Sequence, residues 1–115
     1  MSSADILKAA KQLISTPDKW TKGVYARNVA GDEVKADPMN GRFTDAVSWC
    51  AVGSIREVCG KEMASFDGPI RCLFEATDEG WIGPTVYNDT SDRTHEEIMA
   101  LFDQAIEIAE KELMP

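Results

Sequence analysis

A chain of 115 residues has room for one hydrophobic core, and its 43% hydrophobic and 28% charged residues are typical of a folded soluble protein. The 12 basic and 20 acidic residues give a formal charge of -8, which disfavours nucleic-acid binding because that affinity depends on cations that neutralise phosphates. No apolar run approaches the roughly 20 residues of a membrane span. We therefore predict a single domain over residues 1–115, with no nucleic-acid or membrane partner.

The cysteines and the amino terminus indicate a reducing compartment. Cys50, Cys59 and Cys72 are odd in number and too few for a disulfide framework. The first residues lack the basic region and apolar stretch of a secretory signal. We expect the protein to be cytoplasmic.

The first helix is predicted to open at Ser2 or Ser3, because Ser2 and Asp5 have the spacing of a capping box. It should end before Pro17, since the residue preceding a proline is pushed out of the helical region. The apolar residues between these points recur at helical spacing and form one face: Ile6, Leu7, Ala10, Leu13 and Ile14.

Residues 23–36 contain two short β-prone runs on either side of Gly31. This pattern predicts a β-hairpin with a glycine turn at residues 30–32. A two-stranded ribbon is marginal by itself, so we expect it to lie against helices. Residues 37–41 have the composition of a loop.

A central helix is predicted to begin at Thr44 as N-cap, with Asp45 in its first turn, and to stop near Gly60. Its apolar residues cover more than one face, so we expect it to be the most buried element. Gly53 inside it costs about 1 kcal/mol relative to alanine and therefore indicates close backbone packing.

Residues 61–66 are predicted to add a helical turn. A short helix should then start at residues 67–69, with proline in its first turn. Ile70, Leu73 and Phe74 are expected to face the core. Residues 77–84 are predicted to form an irregular connection that carries Trp81.

The last helix has the strongest signals. Thr94 and Glu97 form a second capping box. A continuous apolar face follows, made of Ile98, Leu101, Phe102, Ala105, Ile108 and Ala109.

The sequence gives little support for a catalytic site. His95 is the single histidine, and its place in the first turn of a helix suggests an exposed side chain. Nothing in the spacing requires it to meet Cys50 as a nucleophile–base pair. The cysteines are separated by eight and twelve residues, whereas structural zinc needs four ligands in close pairs. We therefore predict no metal and no cofactor.

Four acidic residues gather at the start of the last helix: Asp89, Asp92, Glu96 and Glu97. Carboxylates there could bind a hard cation or act in acid–base chemistry. The segment lacks the glycine and the alternating ligands of a calcium loop. A favourable interaction with the helix dipole is enough to explain these residues, and we prefer that interpretation.

Residues 81–93 join aromatic, amide, carboxylate and guanidinium groups in a predicted irregular loop, and Trp49 lies among small residues on the central helix. Small-molecule pockets use this combination. A structural role remains open, because Asn and Asp also form turns and the aromatic residues could close the core. The candidate ligand-binding residues are Trp49, Trp81, Tyr87, Asn88, Asp89 and Arg93.

Four segments of the chain follow one another in a characteristic order. They are an amphipathic helix (6–14), a tryptophan-led segment running into a strand (20–27), a Trp-Cys-x-x-Gly helix (49–54) and an aromatic-Asn-Asp step (87–89) before the capped last helix. In this order they resemble a family of small bacterial and phage proteins classified only as a domain of unknown function. That family more often has tryptophan at the position of Tyr87, and His95 matches no fixed feature of it. The resemblance implies a cytoplasmic helical domain, often on mobile or phage genomes. It does not indicate an activity, because none is established for the family.

We expect an α+β domain, mostly helical, with three or four helices and one β-hairpin packed against them. The leading functional hypothesis is a non-enzymatic domain that binds a small-molecule ligand or a host protein, as a monomer or homodimer. The first alternative is a small enzyme that uses the acidic cluster or Cys50. The second is an acidic inhibitor that mimics nucleic acid, which ranks last because the charges are spread along the chain.

Overall fold

Helices account for most of the structure. A computed structural model describes residues 2–77 and 83–112. Within these ranges the helices are α1 (Ser3–Leu13), α2 (Ala51–Cys59), α3 (Asp67–Ala76), α4 (Pro84–Asp89) and α5 (His95–Glu112). Strands β1 (Ala26–Arg27) and β2 (Ser48–Trp49) form one antiparallel sheet. The predicted α+β, mostly helical class is confirmed, and no helix in the described ranges is both long and apolar enough to cross a membrane.

Both predicted capping boxes are present. The Asp5 amide donates to Ser2 Oγ at 3.1 Å, and the Ser2 amide donates to Asp5 Oδ2 at 3.2 Å. At the start of α5, the Thr94 amide donates to Glu97 Oε1 at 2.9 Å and the Glu97 amide donates to Thr94 Oγ1 at 3.2 Å. Each box satisfies two amides that an uncapped helix would leave without partners.

The core lies where α5 packs against α1 and α3. The predicted apolar faces of α1 and α5 are turned into it. The largest aliphatic and aromatic side chains that are fully buried are Leu7, Ile14, Ile55, Leu73, Ile98 and Phe102.

The predicted inward position of Phe74 is wrong. Its side chain is 38% exposed, while Cys72 is fully buried. The buried residues of α3 are Pro69, Cys72, Leu73 and Ala76. Their spacing defines one helical stripe, and Phe74 lies outside it.

The predicted start of the central helix at Thr44 is also wrong. Thr44 is exposed, and Asp45 has a φ of 65°, in the left-handed region that an α-helix does not contain. The true N-cap is Cys50, whose Sγ accepts a hydrogen bond from the Gly53 amide at 3.2 Å. The predicted end at Gly60 is confirmed, and every residue from 51 to 55 is buried.

Long-range backbone hydrogen bonds explain the late start of α2. The Val47 amide donates to the Arg27 carbonyl at 2.8 Å, and the Cys50 amide donates to the Tyr25 carbonyl at 3.0 Å. These bonds hold residues 47–50 in an extended conformation beside β1. Partners twenty or more residues away therefore override the local helix signal.

The predicted glycine turn is present, but the regular partner of its first strand differs from the prediction. Gly31 has a φ of 85°, and Arg27 and Glu33 form a single antiparallel bridge across the turn. The ladder of β1 is formed with β2 instead, where Ala26 lies opposite Trp49. The sheet therefore joins the glycine turn to the start of α2.

Gly53 shows the close packing that its place in a helix predicts. A Cβ atom at this position would overlap the carbonyl oxygen of Tyr25. The backbone of α2 thus lies directly against the segment that leads into β1. Since a backbone atom cannot rotate away, alanine cannot be accommodated without a shift of the segment or the helix.

Replacing Gly53 with alanine should destabilise the protein, although helix propensity alone favours alanine by about 1 kcal/mol. We expect the free energy of unfolding in urea to fall by about 1–3 kcal/mol, the usual cost of overpacking. Gly68→Ala is the matched control, because among the described residues its Cβ would closely meet only the rotatable hydroxyl of Ser3. A Gly53→Ala protein as stable as the wild type would refute the packing argument.

Candidate functional site

The Asn88-Asp89 step lies in helix α4, whereas we predicted that this segment would be an irregular loop. The helix runs from Pro84 to Asp89. Proline in the first turn is a helix-start signal, since its missing amide hydrogen would have no partner there. That signal was present in the sequence, but the aromatic and polar residues after it were interpreted as a loop.

Asn88 is fully buried, and its carboxamide is hydrogen-bonded on both sides. Its Oδ1 accepts from the indole Nε1 of Trp20 at 2.7 Å and from the Ala51 amide at 3.0 Å. Its Nδ2 donates to the Thr21 carbonyl at 3.0 Å and to Asp89 Oδ1 at 2.9 Å. Asn88 therefore joins α4 to the first residue of α2 and to the Trp20 segment, and its side chain is not exposed to solvent.

Asp89 borders an open cleft. Its Oδ1 accepts from the Gly23 amide at 2.9 Å as well as from Asn88, so the carboxylate has a defined orientation. The cleft has a volume of about 250 Å³. We call it the Asp89 cleft, and its lining residues are Gly23, Val24, Tyr25, Glu33, Cys50, Thr85 and Asp89.

The two predicted residues Tyr87 and Arg93 pack on each other. The guanidinium carbon of Arg93 lies 3.5 Å from the centre of the Tyr87 ring, and Arg93 Nε donates to the Tyr87 carbonyl at 2.9 Å. Arg93 also pairs with Glu97 at 3.1 Å. These contacts anchor the start of α5 to α4, and neither residue lines the Asp89 cleft.

Trp49 belongs to the core, and its Nε1 donates to Glu57 Oε1 at 3.3 Å. Trp81 lies outside the residues that the structure describes. Among the predicted ligand-binding residues that are described, only Asp89 lines the cleft. Sequence reasoning missed Tyr25, Glu33 and Thr85 as its neighbours, because no local spacing brings their separate segments together.

Cys50 forms part of the cleft wall but is a poor nucleophile. Burial raises the pKa of its thiol to about 11, and the negative charge of Asp89 adds to this effect. A thiol with this pKa is almost wholly protonated at neutral pH, whereas the thiolate is the reactive form. The environment of Cys50 is that of an inert buried cysteine.

His95 is half-buried, which corrects the prediction of an exposed side chain. Its Nε2 lies 2.8 Å from the carbonyl oxygen of Ile14, at the end of α1, and its ring lies 6.1 Å from that of Trp20. The packing of α5 on α1 brings these groups together. No hydrogen bond between described residues joins His95 to Cys50.

The acidic residues near the start of α5 do not converge on one site, because Glu97 and Asp89 have different hydrogen-bond partners. Glu97 completes its capping box, and the hydrogen bond from the Thr94 amide lowers the pKa of its carboxyl group. Asp89 is directed to the Gly23 amide instead. The described residues contain no group of three or more Asp, Glu, His and Cys arranged to hold a metal ion.

Replacing Asn88 with leucine should destabilise the protein strongly. The Ala51 amide and the Thr21 carbonyl would lose their partner, at about 1–3 kcal/mol for each buried polar group. We expect the free energy of unfolding to fall by about 2–5 kcal/mol and the Trp20 indole N–H signal to move in the NMR spectrum. Asn40→Ala is the control, because Asn40 is exposed and accepts one local hydrogen bond. Equal stability of the two variants would contradict this role for Asn88.

The raised pKa of Cys50 predicts a loss of stability at alkaline pH. The unfolded thiol ionises near its ordinary value of 9.0, while the folded thiol stays protonated to about pH 11. Ionisation between these values therefore favours unfolding, so this contribution is retained below pH 9 and lost as the pH rises toward 11. Cys50→Ser keeps an N-cap oxygen and cannot ionise in this range, so its unfolding free energy should depend less steeply on pH. Parallel curves for the two proteins would exclude Cys50 as the source.

The match to a known family covers almost the whole chain. The model of DUF6197, described as a family of unknown function, matches residues 1–108. No curated protein and no solved structure matches the chain. The matched range includes Asn88, the Asp89 cleft and all but the last residues of α5. The expected resemblance to a domain of unknown function is thus confirmed, and the chain belongs to the family of unknown function DUF6197.

Proposed function

We propose that this protein is a non-enzymatic domain that binds a small molecule in the Asp89 cleft. The orientation of the Asp89 carboxylate carries the proposal. Two hydrogen bonds hold its Oδ1, and no ion pair between described residues neutralises it. A carboxylate that is held in place beside a cleft is prepared to accept hydrogen bonds from a ligand.

The lining of the cleft favours a ligand with N–H groups or a positive charge. When ionised, Asp89 and Glu33 accept hydrogen bonds and cannot donate them, while Tyr25 and Thr85 contribute hydroxyl groups. The Tyr25 side chain is 41% exposed, so part of it can contact a ligand. The volume of about 250 Å³ lies just below the 300–1,000 Å³ of most ligand pockets, which suits a small amine or one end of a larger molecule.

A cysteine-dependent enzyme is less well supported. The thiol of Cys50 has a pKa of about 11 and therefore lacks the activation that covalent catalysis needs. His95 is engaged with the carbonyl of Ile14 at 2.8 Å, and no hydrogen bond between described residues joins it to Cys50. On these two grounds we rank binding ahead of cysteine catalysis.

A host protein is the second candidate partner, and a phage or mobile-element origin would suit it. Val29 and Met39 are 89% and 84% exposed, and a partner would cover such apolar side chains. Single exposed residues are common, however, and a stable interface buries about 1,200–2,000 Å² in total. The cleft therefore ranks above a protein interface.

Asp89→Asn should weaken binding without unfolding the protein, since the amide keeps the Oδ1 acceptor for Gly23. We expect small primary amines such as ethanolamine and putrescine to shift the backbone amide signals of residues 23–25 saturably in NMR titrations. The variant should lose about tenfold or more in affinity, the usual worth of a charge-assisted hydrogen bond.

Asp92→Asn is the matched control, because it removes the same charge from an exposed residue outside the cleft lining. Native mass spectrometry of the protein isolated gently from a host-like lysate would then test for a natural ligand. Equal amine binding by the two variants, or no saturable shift in the wild type, would overturn the proposal.

A further inference from the structure

Arg56 borders two clefts, and Asp89 lines neither of them. Arg56 lines one of about 290 Å³ together with Lys35 and another of about 390 Å³ together with Lys61. Ala36 also borders both, so the two clefts lie side by side. We call them together the Arg56 furrow, bounded by residues 33–38 on one side and by Arg56 and residues 60–61 on the other.

The guanidinium of Arg56 is only partly engaged. Its Nε is buried and has no hydrogen-bond partner among the described residues. The guanidinium carbon lies 5.6 Å from the centre of the Tyr25 ring, which holds the group in place without providing an acceptor. Because buried donors are nearly always hydrogen-bonded, this open N–H is explained by an acceptor that the described residues do not supply, such as an ordered water or an anion beside the guanidinium.

The furrow is also a local excess of positive charge. It has three cations, at positions 35, 56 and 61, and two carboxylates, at 33 and 37, on a chain whose formal charge is -8. None of the three cations takes part in the six ion pairs between described residues. Asp37 is already engaged, since its Oδ1 accepts from the Met39 amide at 2.7 Å. Three cations and two carboxylates leave the furrow a net formal charge of +1.

Close backbone packing fixes one end of the furrow. Gly41 has a φ of 72° and Gly60 a φ of 59°, conformations that favour glycine. A Cβ atom on Gly41 would overlap the carbonyl oxygen of Gly60. The loop that follows Asp37 is thus held directly on the end of α2, next to Lys61. The backbone at this end of the furrow is therefore in position before a ligand binds, which lowers the entropic cost of binding.

We propose that the Arg56 furrow binds a small oxyanion, either free or as the phosphate or carboxylate group of a small molecule. The planar guanidinium donates to two oxygens of such a group, and its geometry suits both phosphate and carboxylate. Lys35 and Lys61 add charge from the two ends. This site prefers the opposite charge to the Asp89 cleft, and it does not rest on the function proposed for that cleft.

The test is an NMR titration of the Arg56 Nε–H signal with inorganic phosphate and, separately, with acetate, at constant ionic strength set by sodium chloride. We expect a saturable shift with at least one of the two, which also tells phosphate from carboxylate preference. Arg56→Met should weaken binding by about tenfold or more, and Arg56→Lys should have an intermediate affinity because it keeps the charge and loses the planar fork. For these variants the backbone amides of residues 36 and 60 report binding.

Lys19→Met is the charge-matched control, since Lys19 is exposed and lies outside the lining of the furrow. If Arg56→Met does not fold, Lys61→Met and Arg56→Lys carry the same comparison. Asp89→Asn should not weaken phosphate or acetate binding, whereas it should weaken amine binding, which separates the two sites. A linear response to both anions, or equal binding by the Arg56 and Lys19 variants, would show that Arg56 only stacks on Tyr25 and would overturn the proposal.

Discussion

The carboxamide of Asn88 connects segments that are far apart in the chain. Its oxygen accepts from Trp20 and from the first amide of α2, and its nitrogen donates to Thr21 and to Asp89. A buried amide with this many partners tolerates little movement, because breaking any of the bonds leaves a desolvated polar group. The position of α4 against α2 and the direction of the Asp89 carboxylate both depend on it.

The two proposed sites share a wall. Tyr25 and Glu33 line the Asp89 cleft and also the part of the Arg56 furrow that contains Lys35. Close packing of Gly53 against the Tyr25 backbone fixes this wall to α2. This wall therefore lies between the Asp89 carboxylate and the Arg56 guanidinium, and on this arrangement we base the proposal that the neighbouring clefts favour ligand groups of opposite charge.

The sequence predicted the features that depend on short-range interactions. Ser2 with Asp5 and Thr94 with Glu97 mark helix starts, because each box forms within four residues. The apolar stripes of α1 and α5 identified much of the core, and the turn at Gly31 was also anticipated. Proline in the first turn of α4 was a usable signal that the loop interpretation overlooked.

Tertiary structure decided the rest, because the competing interactions come from distant parts of the chain. Thr44 has a good N-cap side chain, yet hydrogen bonds from residues 47 and 50 to the segment at 25–27 keep the chain extended up to Cys50. Asn88 and Asp89 were identified as notable, but only the fold shows that one is buried and the other borders a cleft. By itself the sequence determined the composition class, the starts of the first and last helices and the short-range turns. The pairing of β1 with β2, the surroundings of Asn88 and the grouping of Lys35, Arg56 and Lys61 required the folded chain, since each joins residues whose separation carries no local pattern.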